Sequence, residues 1–511
     1  MDLISGLALG IETAITAEAL LFCFLGVTVG MFIGVLPGIG PLAAVAMLLP
    51  VTYHLEPMAA LIMLAGIFYG AQYGGSTASI LLNLPGTSTT AVTAIDGYPM
   101  AKQGRAGVAL FITTLTSFFG GCFAIVLLMS FAPALGAMAL KFSSAEYFSI
   151  MLLGLIAAAT MSLGNPVKGV VSVVAGLMLA MVGMDTTSGQ LRYTFGILEL
   201  QDGLNLVAMA MGLFGVAEIL KNAGTPERDA SQLQKVRMRD LVPTRKDLSQ
   251  CWKPTIRGAG IGSFIGTLPG AGPTLAAFLA YALEKRVARD PSRFGRGAIE
   301  GISAPEAANN ASTQAAFIPT LALGIPGDAA MAVLLGAMMI HGIQPRPEFF
   351  TEHADLFWGL VISFWVGNVM LLVLNIPLIG VWVRILTIPK RILFPAVTFF
   401  ICVGVYSVNN NPFDVLTVIV FGLIGYLMNA FQYPTAPLLM GFILGPMIEQ
   451  HFRRALLFSR GDLTTFIDRP ISAAFLAAAT ILFVATLLPS LKARFAKTAA
   501  ARKTREGAGA E

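Results

Sequence analysis

Long apolar runs follow one another along most of this 511-residue chain, the clearest at 107–133, 145–163, 168–184, 203–220, 357–386, 413–430 and 471–490. A helix rising about 1.5 Å per residue needs roughly 20 apolar residues to cross a hydrocarbon core of about 30 Å. The runs meet that length and do not alternate apolar with polar, so they predict helices rather than the short alternating strands of a barrel. Together with the interrupted segments below, they predict an all-α polytopic membrane protein with about 10 to 14 transmembrane helices.

The interruptions carry more information than the runs. "IGVLPGIGP" at 33–41 returns as "IGTLPGAGP" at 265–273, pairing Gly30 with Gly262, Gly34 with Gly266, Gly38 with Gly270 and Gly40 with Gly272. A second echo sets "NLPGTSTT" at Asn83–Thr90 against "GIPGDAAM" at Gly324–Met331. Shared order of this kind predicts an internal duplication, as in many secondary transporters. Pro lacks an N–H and Gly readily takes positive φ, so PGxGP is a natural tip for two short antiparallel helices. The second copy has basic residues on both flanks, Lys253 and Arg257 before it and Lys285 to Arg296 after it. The stretch between, 258–284, is long enough for one crossing and too short for two, which predicts a re-entrant hairpin. The plain alternative is a kinked span with glycine packing faces.

Composition fixes the class, and charge fixes the orientation. Hydrophobic residues make up 56% and charged residues 12%, against roughly a quarter charged in a soluble domain. The formal charge of +5 is concentrated: no Lys or Arg precedes Lys102, nine lie between Lys221 and Arg257, and six lie in the tail from Lys492. The positive-inside rule places the central linker and the C-terminus in the cytoplasm and lets the two halves enter from opposite sides. The expected organisation is an N-terminal membrane repeat at 1–220, a basic linker at 221–257, an inverted C-terminal repeat at 258–490 and a basic tail at 491–511. No basic n-region opens the chain, so no cleaved signal peptide is expected. The four cysteines stand apart and read as core residues. The basic clusters report topology, not nucleic-acid binding.

Polar groups at membrane depth supply the candidate chemistry. Ser76, Thr77, Asn83, Thr87 and Ser88 lie in or beside one apolar run, and Glu306, Asn309, Asn310, Ser312, Gln314 and Asp328 in or beside another. Hydroxyls, amides and broken-helix N-termini can replace water around an anion, while oxygens hold a cation. The plain alternative for each hydroxyl is a bond back to its own helix. Asn83, Thr87 and Ser88, with the backbone amides of Gly86 and Gly327, are the candidates for an anion, with Ser76, Thr77 and the tips at Gly38, Gly40, Gly270 and Gly272 beside them. Asn310 and Asp328 are the candidates for a coupling cation. Asp328 after Pro326 and Gly327 also fits an N-cap, and Asp96 in "DGYP" reads as an exposed turn. No P-loop or HExxH spacing occurs, no metal site or cofactor is expected, and an intramembrane protease remains a remote alternative for want of a second aspartate.

These stretches, above all "GVLPGIGPLAAVAMLLP", "FYGAQYGGSTASILLNLPGTSTTAVTAIDGYPMAKQGRAG", "GTLPGAGPTLAAFLAYALEK" and "GIPGDAAMAVLLGAMMIHGIQPRPE", resemble the large membrane subunit, TctA type, of the tripartite tricarboxylate transporters. The resemblance covers nearly the whole chain. It implies a permease of the bacterial inner membrane that takes up citrate-like tricarboxylates or related carboxylates by symport, driven by a sodium or proton gradient. It also implies two partners, a periplasmic solute-binding protein and a small four-helix membrane subunit. A stand-alone anion transporter or channel with the same repeat is the alternative.

Overall fold

The computed structural model describes all residues except 1–2, 37–39, 140–141, 162–164, 186, 224–237, 269, 271, 346–348, 387 and 487–511. In chain order the first helices are α1 (Leu3–Ala14), α2 (Ala17–Val35), α3 (Pro41–Thr52), α4 (Pro57–Leu82), α5 (Ala91–Met100) and α6 (Ala106–Ala139). There follow α7 (Ser144–Met161), α8 (Pro166–Ala180), α9 (Leu206–Ala210), α10 (Ala217–Ala223), α11 (Arg245–Gly266) and α12 (Gly272–Val287). The rest are α13 (Glu300–Ala315), α14 (Phe317–Leu323), α15 (Ala329–Ile340), α16 (Phe349–Glu352), α17 (Ala354–Asn375), α18 (Ile379–Ile385), α19 (Lys390–Asn409), α20 (Pro412–Ala430), α21 (Thr435–Phe458), α22 (Thr465–Asp468) and α23 (Pro470–Thr486). Among the described residues the only sheet is the two-stranded ladder of Gly183–Met184 with Leu191–Arg192.

Seven of the helical stretches are long and apolar enough to cross a membrane. The chain is an all-α polytopic membrane protein. The apolar run at 357–386 does not form one helix: α17 stops at Asn375, and α18 starts at Ile379. Pro377, between them, has no N–H to donate and its ring would clash with the carbonyl of residue 373. Two long helices, α19 and α21, lie outside the clear apolar runs, because Pro395 and Pro446 interrupt their sequences and charged residues fall at the start of one and the end of the other.

The chain forms two compact units. The first comprises Met1–Lys141 and Leu204–Leu427, and it holds both glycine-rich echoes. Each echo joins two helices, the first of which packs along a further helix. In the first, α2 and α3 are arms on either side of 36–40 and α2 packs along α4; in the second, α11 and α12 flank 267–271 and α11 packs along α13. The first arm of the second hairpin has 22 residues and starts ahead of the 258–284 stretch, because a basic amphipathic segment from Arg245, started by a Thr244–Asp247 capping box, extends it.

Backbone contact explains the glycines. A β-carbon at Gly26, Gly30 or Gly34 would run into the carbonyls of Met63, Ile67 and Ala71 on α4. One at Gly258, Gly262 or Gly266 would run into those of Ala304, Ala308 and Ser312 on α13. Two stripes of glycine at four-residue spacing thus bring two helix pairs into main-chain contact, the small-residue packing used between membrane helices.

The second unit, Phe142–Gly203 with Met428–Glu511, packs α7, α8 and α21 by the same means: Gly176 faces the carbonyl of Leu438 and Gly441 that of Val173. Polar ties close its ends. Arg453 contacts Asp185 at 3.0 Å, Arg192 contacts Glu449 at 2.9 Å, and Arg469 contacts buried Glu146 at 2.6 Å. In the connection after α8, the Ser188 hydroxyl and the Thr187 N–H, with Arg453, hold the Asp185 carboxyl well below the usual carboxylate range.

Candidate functional site

The loops that follow α4 and α14 are the same piece of backbone twice. Each of these helices ends on a left-handed residue, Asn83 (φ 54°) in one and Gly324 (φ 67°) in the other. Asn and Gly are the two residues that tolerate this helix stop best. One turn before the stop, Ser79 Oγ donates to the Gly75 carbonyl, and Thr320 Oγ1 donates to the Ala316 carbonyl. After the stop, Gly86 packs on Gly34 and Gly75, and Gly327 packs on Gly266 and Ala316. Thr87 Oγ1 then accepts from the Thr90 N–H at 3.4 Å, as Asp328 Oδ1 accepts from the Met331 N–H at 2.8 Å. The pairings from Gly75 with Ala316 to Thr90 with Met331 fall at one constant interval in the numbering, which differs from that of the hairpin-arm glycines Gly34 and Gly266, so Ser312 corresponds to Ala71 and Phe317 to Ser76.

Both loops meet the start of α12. Ser88 Oγ lies 2.9 Å from Thr274 Oγ1, and a β-carbon on Gly272 would sit 3.4 Å from that of Asp328. The N-terminal ends of α5, α12 and α15 therefore gather in one place, and α15 packs on α3, whose own N-terminus follows the first hairpin tip. Helix N-termini present N–H groups and partial positive charge, so their convergence favours an anion.

Each sequence candidate has a definite place. Gly38 lies outside the described residues. Gly40 has an ordinary extended conformation (φ −74°, ψ 172°) and nothing within 4 Å of a β-carbon, so the fold does not require glycine there. Gly270 (φ 74°) and Gly272 (φ 63°) do occupy the left-handed region that favours glycine. Ser76 and Thr77 are buried in α4, and Ser76 donates to the Tyr73 carbonyl. Thr87 is buried in a closed hydroxyl network with Thr89 and Thr90, and Thr89 donates to Gln72 Oε1. Asn83 and Ser88 are exposed, Gly86 and Gly327 are buried, and Asp328 is half-buried as the N-cap of α15.

The second loop stands beside a different kind of surface. Every residue of α13 from Gly301 to Ala315 is buried. Along it Asn309 Oδ1 and Nδ2, Asn310 Oδ1, Ser312 Oγ and Gln314 Oε1, with Ser263 Oγ on α11, have no hydrogen-bond partner. Buried polar atoms are nearly always satisfied, so these orphans leave room for partners that the described residues do not supply. The sequence named most of these residues; it did not show that Asn309 and Gln314 are left unpartnered while neighbouring Thr313 bonds back to Asn309.

Asp96 is not an exposed turn. It is fully buried in α5, where Oδ1 accepts from the N–H groups of Gly295, Gly297 and Ala298 at 2.8 to 2.9 Å and Oδ2 accepts from Tyr281 at 3.0 Å. All its donors lie far along the chain, so the local "DGYP" motif gave no sign of them. The aspartate fastens the connection between α12 and α13.

A family model described as the tripartite tricarboxylate transporter TctA family matches residues 20–440. An uncharacterized 52.8 kDa protein in the TAR-I ttuC′ 3′ region of Agrobacterium vitis is 49% identical over 494 residues, 97% of this chain and 98% of its own length. An uncharacterized protein in the TAR-II ttuC′ 3′ region of the same organism is 49% identical over 233 residues, 46% of this chain and 96% of its own length. No solved structure matches the chain.

Proposed function

Because the chain belongs to the tripartite tricarboxylate transporter TctA family, and so is a membrane transporter component, we propose that it is the permease subunit of an ion-gradient-driven uptake system for tricarboxylates or related carboxylates. In this reading it works in a bacterial inner membrane with a periplasmic solute-binding protein and a small four-helix membrane subunit. The observation that carries the reading is the gathering of three helix N-termini and two glycine-bearing loops around Ser88, Gly272, Thr274 and Asp328. A carboxylate crossing the membrane sheds water, and N–H groups and hydroxyls must replace it.

The exposed groups of the first loop, Asn83 and Ser88, and the main chain at Gly86 and Gly327 receive the carboxylate. Ser76, Thr77 and Thr87 shape that surface from behind, and the tips at Gly38, Gly40, Gly270 and Gly272 close on it. Asn310, whose Oδ1 has no partner, and Asp328 supply oxygens to a coupling cation. A cation beside the anion lowers the cost of dehydrating both, so that neither binds well alone and the two are coupled. The two repeats enter the membrane in opposite orientations, with the central linker and the tail in the cytoplasm.

The test is uptake of labelled citrate, tartrate, malate and succinate by proteoliposomes, with and without candidate binding proteins, under imposed sodium or proton gradients. Gradient-driven accumulation that needs the binding protein supports the tripartite reading. Accumulation or leak without it supports a stand-alone transporter or channel. No movement of any carboxylate contradicts both.

A further inference from the structure

Buried carboxylates in this protein fall into two chemical classes. Glu146, Asp185, Asp247 and Glu284 each meet an arginine, and Asp96 meets three backbone N–H groups and a tyrosine. Such donors cannot accept a hydrogen bond in return, apart from the tyrosine hydroxyl, so they hold the ionised form in place. Glu306 is different. At 0% exposure on α13, it is held only by hydroxyls: Thr93 Oγ1 on α5 donates to Oε1 at 2.6 Å, and Ser117 Oγ on α6 donates to Oε2 at 3.2 Å. Asp414 also has neutral partners, the amides of Asn205 and Asn409, but amide N–H groups only donate.

A hydroxyl can donate or accept by rotating. Protonated Glu306 would donate to Thr93 or Ser117, and ionised Glu306 accepts from both, so in either state both carboxyl oxygens keep a hydroxyl partner. No cation faces it. On the helices packed against α13 the titratable groups are Tyr69 and Tyr73 on α4, Asp96 and Tyr98 on α5, and Cys122 on α6. α11 carries Arg245, Lys246, Asp247, Cys251, Lys253 and Arg257, and α12 carries Tyr281, Glu284, Lys285 and Arg286. Arg257 is engaged in two contacts with Glu284. A carboxylate buried without a counter-charge is costly, and gaining a proton removes that cost.

We propose that Glu306 is a proton-carrying site, separate from the oxygens of Asn310 and Asp328, through which carboxylate transport is linked to a proton gradient. The inference rests on the transport reading but not on the cation assignment. The step moves one proton from a hydronium ion to a Glu306 oxygen: an O–H bond of the hydronium breaks and leaves water, an O–H bond forms on Glu306 and cancels its negative charge, and one hydroxyl partner turns from donor to acceptor. Release breaks that bond, and the hydroxyl turns back. Asn310, one turn along, ties the proton site to the candidate ligand surface, because its Nδ2 donates to the Glu306 carbonyl while its Oδ1 stays unpartnered.

The test compares wild type, Glu306→Gln and Glu306→Asp as full-length protein, reconstituted with whatever accessory subunits wild-type uptake requires, without sodium. Two transport modes are read: counterflow of labelled citrate at equal pH, and accumulation driven by an imposed pH gradient. Glu306→Gln, a permanently neutral mimic, should keep counterflow and lose pH-driven accumulation by at least about fivefold, the lower end of ordinary coupling between ligands. Glu306→Asp should recover part of it. Infrared difference spectra on acidification should show the carbonyl band of a protonated carboxylic acid in wild type and not in Glu306→Gln. Unchanged pH-driven accumulation in Glu306→Gln, equal loss of both modes in correctly folded protein, or a band that survives the substitution overturns the proton site. A wild type without counterflow of any tested carboxylate overturns the transport reading itself.

Discussion

The loops at 83–90 and 324–328 share a backbone and differ in chemistry. Both begin at a left-handed helix stop, both press a glycine onto a hairpin arm, and both end on a side chain that caps the next turn. In the first loop that cap is Thr87, a neutral hydroxyl within a satisfied network. In the second it is Asp328, a carboxylate, and α13, which leads into the short helix before it, carries unpartnered amides and a hydroxyl. The two loops thus share a shape while they differ in charge. A neutral, hydroxyl-lined half fits an anion and an acidic, carbonyl-rich half fits a cation, which is the division of labour proposed above.

The comparison breaks most severely where the shared scaffold is attacked. Gly30→Val and Gly262→Val each drive a side chain into a main-chain carbonyl, so both should abolish folded, monodisperse protein in detergent. Gly260→Val, on the same helix with nothing within 4 Å of its β-carbon, should express normally. Equal tolerance at Gly30 and Gly260 would mean that the helix pairs are not packed as described.

Smaller effects separate the chemistry of the loops from their shape. Asn83→Ala places a β-branch-free but chiral residue in the left-handed region, at about 1 kcal/mol or slightly more, whereas Asn83→Gly removes the same amide without strain. If the Asn83 side chain meets the carboxylate, both variants lose affinity alike in a binding titration; if it only stops α4, Asn83→Gly binds as wild type and melts with it. Ser88→Ala should weaken carboxylate affinity several-fold and leave thermal stability within a few tenths of a kcal/mol, as expected of an exposed position. The smallest structural effect belongs to Gly40→Ala, whose backbone and surroundings accept a methyl group. A fall in uptake at unchanged stability would therefore report a ligand approaching the first tip.

Much of the scaffold was legible in the sequence because Gly and Pro are conspicuous inside apolar runs. They marked the helix pairs on either side of the two PGxGP stretches and the echo of Asn83–Thr90 in Gly324–Met331. What stayed hidden depends on contacts far along the chain or on residues whose identity changed while their backbone role did not. Ser76 and Ser312 stand at unequal distances before the two loops, which left the correspondence upstream of them open; the backbone pairs Ser76 with Phe317 and Ser312 with Ala71. Asp96 looked like a turn because the three N–H groups that bury it belong to Gly295, Gly297 and Ala298. The helices around Pro395 and Pro446 were obscured by prolines that the folded chain accommodates within them.

The claim that the two loops divide anion from cation is tested most directly at Asp328. Replacing it with Asn keeps the cap, since Asn and Asp serve about equally well there, and removes only the charge. Affinity for the carboxylate that wild-type protein accumulates is titrated at several sodium concentrations and pH values. The account predicts that Asp328→Asn shifts the cation dependence of binding and, by reciprocity, weakens carboxylate affinity chiefly at low cation. An Asp328→Asn protein whose carboxylate affinity follows sodium and pH as wild type does would contradict it and leave Asp328 as a helix cap.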